Sequence, residues 1–353
     1  MLRRIPALRR AGPAILLLAV LGVHADPLRR PMTYPNTGGF GVAFNSEEDW
    51  YRECMRVASL APSRAYAARP GAEEQYSKTT RLYYMKRDQA ATTAAEWRQV
   101  RQQALAGGDD GVLMMLYANG YGVPRDTDRA IYHACRLDTA KAEMEGRIAH
   151  LASGAAADGA PFDLCDDITS GRMGGVCAAI DTGRKDRVQQ ARLERFASGL
   201  PPTARAPFAR LRQAATAFTR ESTREVDMSG TGAAGLAFRH AGRRDEEFMQ
   251  TLFKAADGKL PLASAAQLVL LDRELNAQYR ALLAIPSRDE NHPERIDYLT
   301  VTRDDVRATE RAWLAYRDAW TTYLPAAGAA NALKSVQAEL TRQRITQLKR
   351  MQR

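Results

Sequence analysis

The chain has 353 residues, of which 45% are hydrophobic, and carries a formal net charge of +10. Its basic residues are interleaved with acidic ones, as in RDDVR and GRRDEE, and do not form blocks. That pattern is typical of solvated helix faces. If the chain is exported, as its N-terminus predicts below, the anionic partners of a basic protein would be envelope components and not nucleic acid. The length exceeds what a single hydrophobic core usually serves, so we expect two or three domains.

The first 25 residues predict a signal peptide. Four arginines precede the apolar run AILLLAVLGV, and a small-residue cleavage site ends at Ala25. The run is shorter than the ~20 residues that cross a bilayer, so we expect no transmembrane segment in the mature chain. We predict a periplasmic or secreted protein, with an uncleaved anchor as the alternative. Cleavage removes four arginines and no acid, leaving a charge of +6 that would suit anionic envelope polymers.

Four cysteines follow this segment, at Cys54, Cys135, Cys165 and Cys177. An even number in an exported chain predicts two disulfide bonds, and four cysteines allow three pairings. The Gly-rich stretch between Cys165 and Cys177 favours a local bridge, which would leave Cys54 to pair with Cys135. A metal site at His133 and Cys135 is the alternative, although no Cys-x-x-Cys or His-x-x-x-His spacing supports it.

Composition divides the chain into regions. A Pro- and Gly-rich lead at 26–46 predicts a flexible segment, and SGAAADGAP at 153–161 predicts a linker. We expect one helical domain at 47–153 and two further helical regions at 161–260 and 261–353. Alternating strand patterns are scarce, so the predicted fold class is all-α, with a helical-repeat-like N-terminal region followed by helical hairpin or bundle modules.

Within 47–153, residues 104–135 combine two helical patterns around a Gly-rich turn. Glycines permit the turn, and alanines let the second helix approach the first closely. The segment resembles a Sel1-like repeat of the tetratricopeptide type, through Leu113, Tyr117, Gly120, Gly122, Val123, Asp126, Ala130 and Ala134. Such repeats need about three copies to bury a continuous core. Because only one is found, we expect flanking helices at 47–58 and 94–106 to complete the layer.

The middle region carries apolar side chains at helical spacing, which makes a degenerate copy of the last module one interpretation of it. The positions concerned are Pro202, Phe208, Leu211, Ala215 and Phe218. GTGAAG at 230–235 also matches the dinucleotide-binding pattern G-x-G-x-x-G. No buried strand precedes it, so we interpret this segment as a flexible link between helices.

The last region has the clearest helical pattern. Apolar or aromatic residues recur every three or four positions at 268–283 and again at 306–324. This spacing predicts two helices, each with one buried face. Trp313, Tyr316 and Trp320 fall on the buried face of the second helix and are expected in the core.

The same two helices carry the motifs D-x-x-L-N-x-x-Y and W-x-x-x-R-D-x-W. The motif residues are Asp272, Leu275, Asn276, Tyr279, Trp313, Arg317 and Asp318. Through them the region from 265 to 353 resembles the lysozyme-inhibitor LprI-like family of bacterial envelope proteins. Glu310 stands where relatives usually carry Gln, and Trp320 stands near a position where many carry Cys.

The motif residues have predicted roles. Arg317 is the candidate contact to a partner's carboxylate or a wall anion. The alternative is a salt bridge from Arg317 or Asp318 to Asp272 or Arg273 of the facing helix. A further motif residue, Asn276, is expected to cap or cross-link helices.

The sequence contains no Gly-x-Ser-x-Gly elbow, no His-Glu-x-x-His and no P-loop. Adjacent acids such as Asp304 and Asp305 point about 100° apart on a helix, and Thr302 with Asp305 has the form of a capping box. We therefore expect a non-catalytic exported protein without metal or cofactor.

The resemblance implies a binding protein that blocks a lysozyme or another wall-acting enzyme sterically. A periplasmic scaffold or adaptor that makes protein contacts through the Sel1-like region is the alternative function. Charge bears on the choice, because familiar host lysozymes are basic and a basic inhibitor gains no electrostatic steering toward them. An inhibitor of such lysozymes would need a local acidic patch.

Overall fold

The computed structural model describes residues 33–60, 77–154 and 160–352. Within these ranges the chain forms twelve α-helices and no β-strand, which confirms the all-α fold class. None of the described helices is long and apolar enough to cross a membrane. The predicted signal peptide, the start of the lead and most of the first linker lie outside the described residues. The helices are α1 (Asp49–Val57), α2 (Lys78–Arg87), α3 (Ala94–Gly107), α4 (Asp110–Asn119), α5 (Thr127–Ala134), α6 (Lys141–Ala152), α7 (Gly171–Ser198), α8 (Pro202–Ser222), α9 (Ala233–Ala256), α10 (Ala265–Ala284), α11 (Arg303–Ala326) and α12 (Leu333–Arg350).

Helices α1 to α6 and the first part of α7 enclose the first hydrophobic core. The α4 helix lies at its centre, since every residue from Asp110 to Ala118 is buried. A helix that is apolar on all sides needs cover on all sides, and α2, α3 and α5 pack against it. Its first turn is capped by the side chain of Asp109, which accepts a hydrogen bond from the N–H of Val112 at 3.0 Å.

The predicted Sel1-like segment folds as a helix, a tight turn and a second helix, namely α4 and α5. Gly122 has a φ of 68°, and a Cβ there would lie 2.4 Å from the Cβ of Trp97. Asp126 caps α5 by accepting from the N–H of Arg129. The flanking helices expected at 47–58 and 94–106 correspond to α1 and α3, whereas α2 and α6 were not predicted. The assignment to the Sel1-like family stays a prediction.

Residues 33–46 belong to the lead that composition predicts as flexible, yet they pack against the first core. Phe40 is buried, and its ring centroid lies 5.2 Å from that of Trp50. Tyr34 stacks on Tyr132 with ring centroids 5.4 Å apart. Aromatic side chains between the Pro and Gly residues therefore fix a segment that composition alone assigns as loose.

Both disulfide bonds lie in the first region. One joins Cys54 to Cys135 across 81 residues, and the other joins Cys165 to Cys177 across 12 residues. These are the pairings that the sequence favours. The alternative metal site is wrong, because Cys135 is disulfide-bonded and the imidazole of His133 contacts the carboxylate of Asp110 at 2.7 Å.

The 28-residue helix α7 takes part in both hydrophobic cores, because Met173 and Ile180 belong to the first and Leu193 belongs to the second. The second core also includes side chains from α8, α9, α10, α11 and α12. It therefore runs across the predicted boundary between 260 and 261. The domain limits and the proposed duplication of the last module stay predictions.

Helices α8 and α11 pack extensively against each other in this core. Phe218 stacks on Tyr316 with ring centroids 5.7 Å apart, and Phe208 lies 5.4 Å from Tyr323. The apolar spacing noted in the middle region thus forms the face of α8 that packs on α11. Trp320 is fully buried beside this face, so its aromatic side chain fills the core there.

Two capping boxes begin α10 and α11. Ser264 with Gln267 caps α10, and Thr302 with Asp305 caps α11, the latter as predicted. The connection between the helices is organised by Arg303, whose guanidinium donates to the backbone carbonyls of Leu283, Ile285, Pro293 and Arg295. Because one side chain bonds to four carbonyls, it holds the end of α10, the connection and the start of α11 in one arrangement.

The GTGAAG segment forms a turn and the first turn of a helix. Gly230 has a φ of 79°, and α9 begins at Ala233. No strand precedes the segment in the described part of the chain. The segment therefore lacks the strand that a dinucleotide-binding motif requires, in agreement with its interpretation as a link between helices.

Candidate functional site

A groove of about 460 Å³ lies between α10 and α11. The two helices have different main supports, since α10 packs on α12 and α11 packs on α8. The lining residues are Asp272, Leu275, Asn276 and Tyr279 from α10, and Arg307, Glu310, Arg311, Trp313, Leu314 and Arg317 from α11. Spacings of three and four place each set on one helix face.

Six of the seven motif residues line this groove, although they come from two separate helices. The exception is Asp318, whose side chain is exposed outside the groove. The positions that carry the resemblance therefore converge on one surface.

The side chain of Arg317 crosses the groove. Its Nη1 donates to the Oδ1 of Asp272 at 3.1 Å, and its guanidinium carbon lies 4.9 Å from the ring centroid of Trp313. The predicted alternative, a salt bridge between the helices, is therefore present. A guanidinium held by a carboxylate and an aromatic ring is pre-organised, and this pair links α10 to α11 across the groove.

Apolar side chains form the floor of the groove. Trp313 and Leu275 are buried, with 1% and 5% of their surfaces exposed. Tyr279 is half-buried at the wall, and burial, followed by the nearby carboxylate of Glu310, raises the pKa of its phenol. The phenol therefore stays protonated and can donate a hydrogen bond into the groove at neutral pH.

Behind the groove lies a buried ion network centred on Arg344, which is fully buried. Its Nη1 and Nη2 donate to the two carboxylate oxygens of Glu225 at 2.8 and 2.7 Å, and its Nε donates to Glu310 at 2.9 Å. This contact gives Glu310 a structural role behind the groove. The charge of the guanidinium is balanced by Glu225, and the carboxylate of Glu310 accepts from its remaining Nε–H, so that all three nitrogens of the buried group are bonded.

The predicted role of Asn276 is wrong. Its side-chain amide donates to the backbone carbonyl of Asp272 at 2.7 Å, one turn earlier in the same helix. The side chain neither caps a helix nor joins two helices. Asn276 is exposed and lines the groove, so its amide is accessible to a partner.

Three residues of the groove were not predicted, namely Arg307, Arg311 and Leu314. Arg307 pairs with Asp304 at 2.7 Å, whereas Arg311 has no ion-pair partner among the described residues. The signal for all three was present in the sequence, because positions 307, 311 and 314 lie on the same helix face as Arg317. The apolar stripe of α11 identified the buried face but not this neighbouring one.

The groove continues into an exposed apolar surface on α10. Val269 precedes Asp272 by three residues and is 50% exposed, and its neighbour Leu270 is 62% exposed. Leu314, in the groove wall, is 39% exposed. Large apolar side chains grouped beside a groove are typical of protein-binding surfaces.

Residues 262–348 match the family model described as lysozyme inhibitor LprI. The match includes the whole groove and excludes the first core. No curated protein and no solved structure matches the chain. The match supports a lysozyme-inhibitor-like binding role at the level of the family, which is extracellular or periplasmic, and it is consistent with a protein that is not an enzyme.

Proposed function

We propose that the protein is exported and inhibits a lysozyme or another wall-acting glycosidase, by covering the enzyme's cleft with the surface around the groove. The convergence of six motif residues on one groove carries this proposal. The exposed apolar residues of α10 add area for a protein contact, and no catalytic turnover is required.

The charges of the groove indicate which part of the enzyme it contacts. Asp272 and Glu310 are the acidic lining residues, and both are already paired with arginines of the fold. The groove therefore offers no acidic patch to the basic exterior of a lysozyme. Arg311, which has no ion-pair partner in the described part of the chain, offers a cation instead. Glycosidases carry two carboxylates in the cleft, and a guanidinium is a suitable partner for them.

Inhibition is tested by measuring lysis of wall substrate by a panel of lysozymes with and without the purified protein. We expect at least one enzyme to be inhibited at micromolar concentration. Replacing the unpaired cation, Arg311→Glu, is expected to weaken that inhibition by about tenfold or more, because a favourable charge contact becomes repulsive.

The matched control is Arg273→Glu, which makes the same charge change at an exposed residue of α10 that does not line the groove. Its inhibition constant should stay within about twofold of the original, well below the ~1.4 kcal/mol that a tenfold change represents. The proposal is contradicted if the unaltered protein inhibits no member of the panel. Equal effects of the two substitutions would place the contact outside the groove.

A further inference from the structure

A second cavity, of about 320 Å³, lies where α9, the end of α12 and the connection before α11 meet. It shares no lining residue with the groove. Its apolar wall is formed by Val226, Leu236, Leu299 and Met351. Leu236 is 48% exposed at the rim, so the apolar wall is open to a molecule from solution.

Two arginines of this cavity form no salt bridge among the described residues, namely Arg243 of α9 and Arg350 of α12. The acids nearby are engaged within the fold. Both oxygens of Glu225 accept hydrogen bonds from Arg344. The carboxylate of Asp227 accepts from Ser229 and Thr300. Asp227 keeps its negative charge, and Arg243 and Arg350 also interact electrostatically with Glu247. Among the lining residues, however, three arginines (Arg243, Arg244 and Arg350) outnumber two carboxylates, so the cavity keeps a positive surplus.

A third cation lies deeper in the wall. The side chain of Arg244 is 2% exposed, and its Nη2 pairs with Glu247 at 2.8 Å. Its Nε and Nη1 have no acceptor among the described residues. Beside it, burial and then the neighbouring arginines lower the pKa of His240 to about 3. The imidazole is consequently neutral at pH 7, and a buried guanidinium with unsatisfied donors gains from an anion placed next to it.

We propose that this cavity binds a small amphiphile, with its carboxylate at Arg243 and Arg350 and its apolar tail along Leu236 and Met351. Small-molecule sites combine an apolar wall with a few charged groups that orient the ligand, and they usually measure about 300 to 1,000 Å³. A cavity at the lower end of that range accommodates a tail of short to medium length. Neither a cationic amphiphile nor a small anion without a tail satisfies both parts of the site.

The test titrates the purified protein with octanoate, acetate and octylammonium, and follows binding by calorimetry and NMR. Octanoate is expected to bind at least tenfold more tightly than acetate or octylammonium. The double substitution Arg243→Gln with Arg350→Gln should weaken octanoate binding at least tenfold. Leu236→Asn should weaken octanoate binding while leaving acetate binding unchanged. All three positions are exposed, so the fold should tolerate these changes, and circular dichroism checks this.

The matched control is Arg239→Gln, since Arg239 is an exposed arginine of α9 one turn before Arg243 and does not line this cavity. Octanoate binding to this variant should equal that of the unaltered protein. Octanoate binding no tighter than acetate, octylammonium binding as tightly as octanoate, or an unchanged affinity in the double variant would each overturn the proposal.

Discussion

The first core is cross-linked by two disulfide bonds, whereas the chain after Cys177 contains no cysteine and the second core is held by noncovalent contacts alone. Both cores bury charged side chains, among them Asp110, Glu143 and Arg147 in the first region and Arg344 with Glu225 in the second. The second core also contains a run of aromatic side chains on α11, Tyr316, Trp320 and Tyr323, which contact one another.

This difference matters for the groove, because the groove belongs to the region without covalent cross-links. Only Leu275 and Leu282 of the 20 residues of α10 are buried, and Leu271 and Leu283 pack partly buried against the second core. Much of the remaining surface of this helix faces solvent or the groove. Its position depends on packing against α12 and on the contacts of Arg303 and Arg317. We therefore expect the first region to respond most to loss of disulfides and the groove to respond most to changes in the buried side chains behind it.

The largest effect is expected from removing the long disulfide. Cys54→Ser with Cys135→Ser opens a loop of 81 residues and should lower the free energy of unfolding by about 4 to 5 kcal/mol, against about 3 kcal/mol for Cys165→Ser with Cys177→Ser. Denaturation followed by tryptophan fluorescence measures both values. The comparison between the cores fails if, in the long-disulfide variant, lysozyme inhibition is lost while amide exchange in the first region is unchanged.

In the second core the corresponding substitution is Arg344→Met. It leaves the carboxylates of Glu225 and Glu310 without a countercharge, and breaking a buried ion pair from one side costs about 3 to 5 kcal/mol. Urea denaturation measures the loss. Arg342→Met provides the control, because its surface pair with Glu339 spans 3.8 Å and should contribute less than about 1 kcal/mol. Equal losses would show that the network does not stabilise the core behind the groove.

A smaller effect of opposite sign is expected at Asp245. Burial raises the pKa of this carboxyl to about 6, with a further contribution from Asp186, while a hydrogen bond from Thr219 opposes the shift. A raised carboxyl pKa means that the folded state binds the proton more tightly than the unfolded state does. The contribution of the protonated carboxyl to the free energy of unfolding is therefore present below pH ~4 and is lost as pH rises through ~6. At pH 7 the ionised carboxylate then lowers the free energy of unfolding by up to about 3 kcal/mol.

Asp245→Asn should therefore stabilise the protein at pH 7 and have little effect at pH 4, as measured by urea denaturation at both pH values. The asparagine retains an oxygen that accepts from Thr219. A variant that is equally stabilised at both pH values would show that the gain does not come from ionisation of Asp245.

The smallest effect on stability is expected at the groove itself. Asp272→Ala removes a salt bridge whose side chains are 50% and 22% exposed, and exposed pairs contribute about 0 to 1 kcal/mol. The free energy of unfolding should fall by no more than that. A loss above about 2 kcal/mol would mean that the groove is a structural element of the second core and not a surface free to bind.

The sequence predicted those parts of the molecule that depend on neighbours along the chain. The capping box of Thr302 and Asp305, the buried stripe of Trp313 and Tyr316, and the local disulfide all follow from spacing within a few residues or a single helix. The salt bridge between Arg317 and Asp272 followed from the expectation that two adjacent helices face each other.

What the sequence did not predict depends on contacts between distant segments. Arg344 and Glu225 are separated by 119 positions, and no local pattern shows that they meet. The contact between Phe40 and Trp50 was not predicted, because the Pro and Gly residues around Phe40 are typical of a flexible segment. Arg311 was overlooked because an exposed charge on a helix is ordinary until the opposite wall of a groove is known.

Amide hydrogen–deuterium exchange of the protein with and without an inhibited lysozyme tests the central claim most directly. We expect added protection in α10 and α11, concentrated from Val269 to Tyr279 and from Arg307 to Arg317, with the first core unchanged. Arg311→Glu should remove that protection at the same lysozyme concentration. Protection confined to α3, α4 and α5 would contradict the claim and favour an adaptor that binds through the Sel1-like segment.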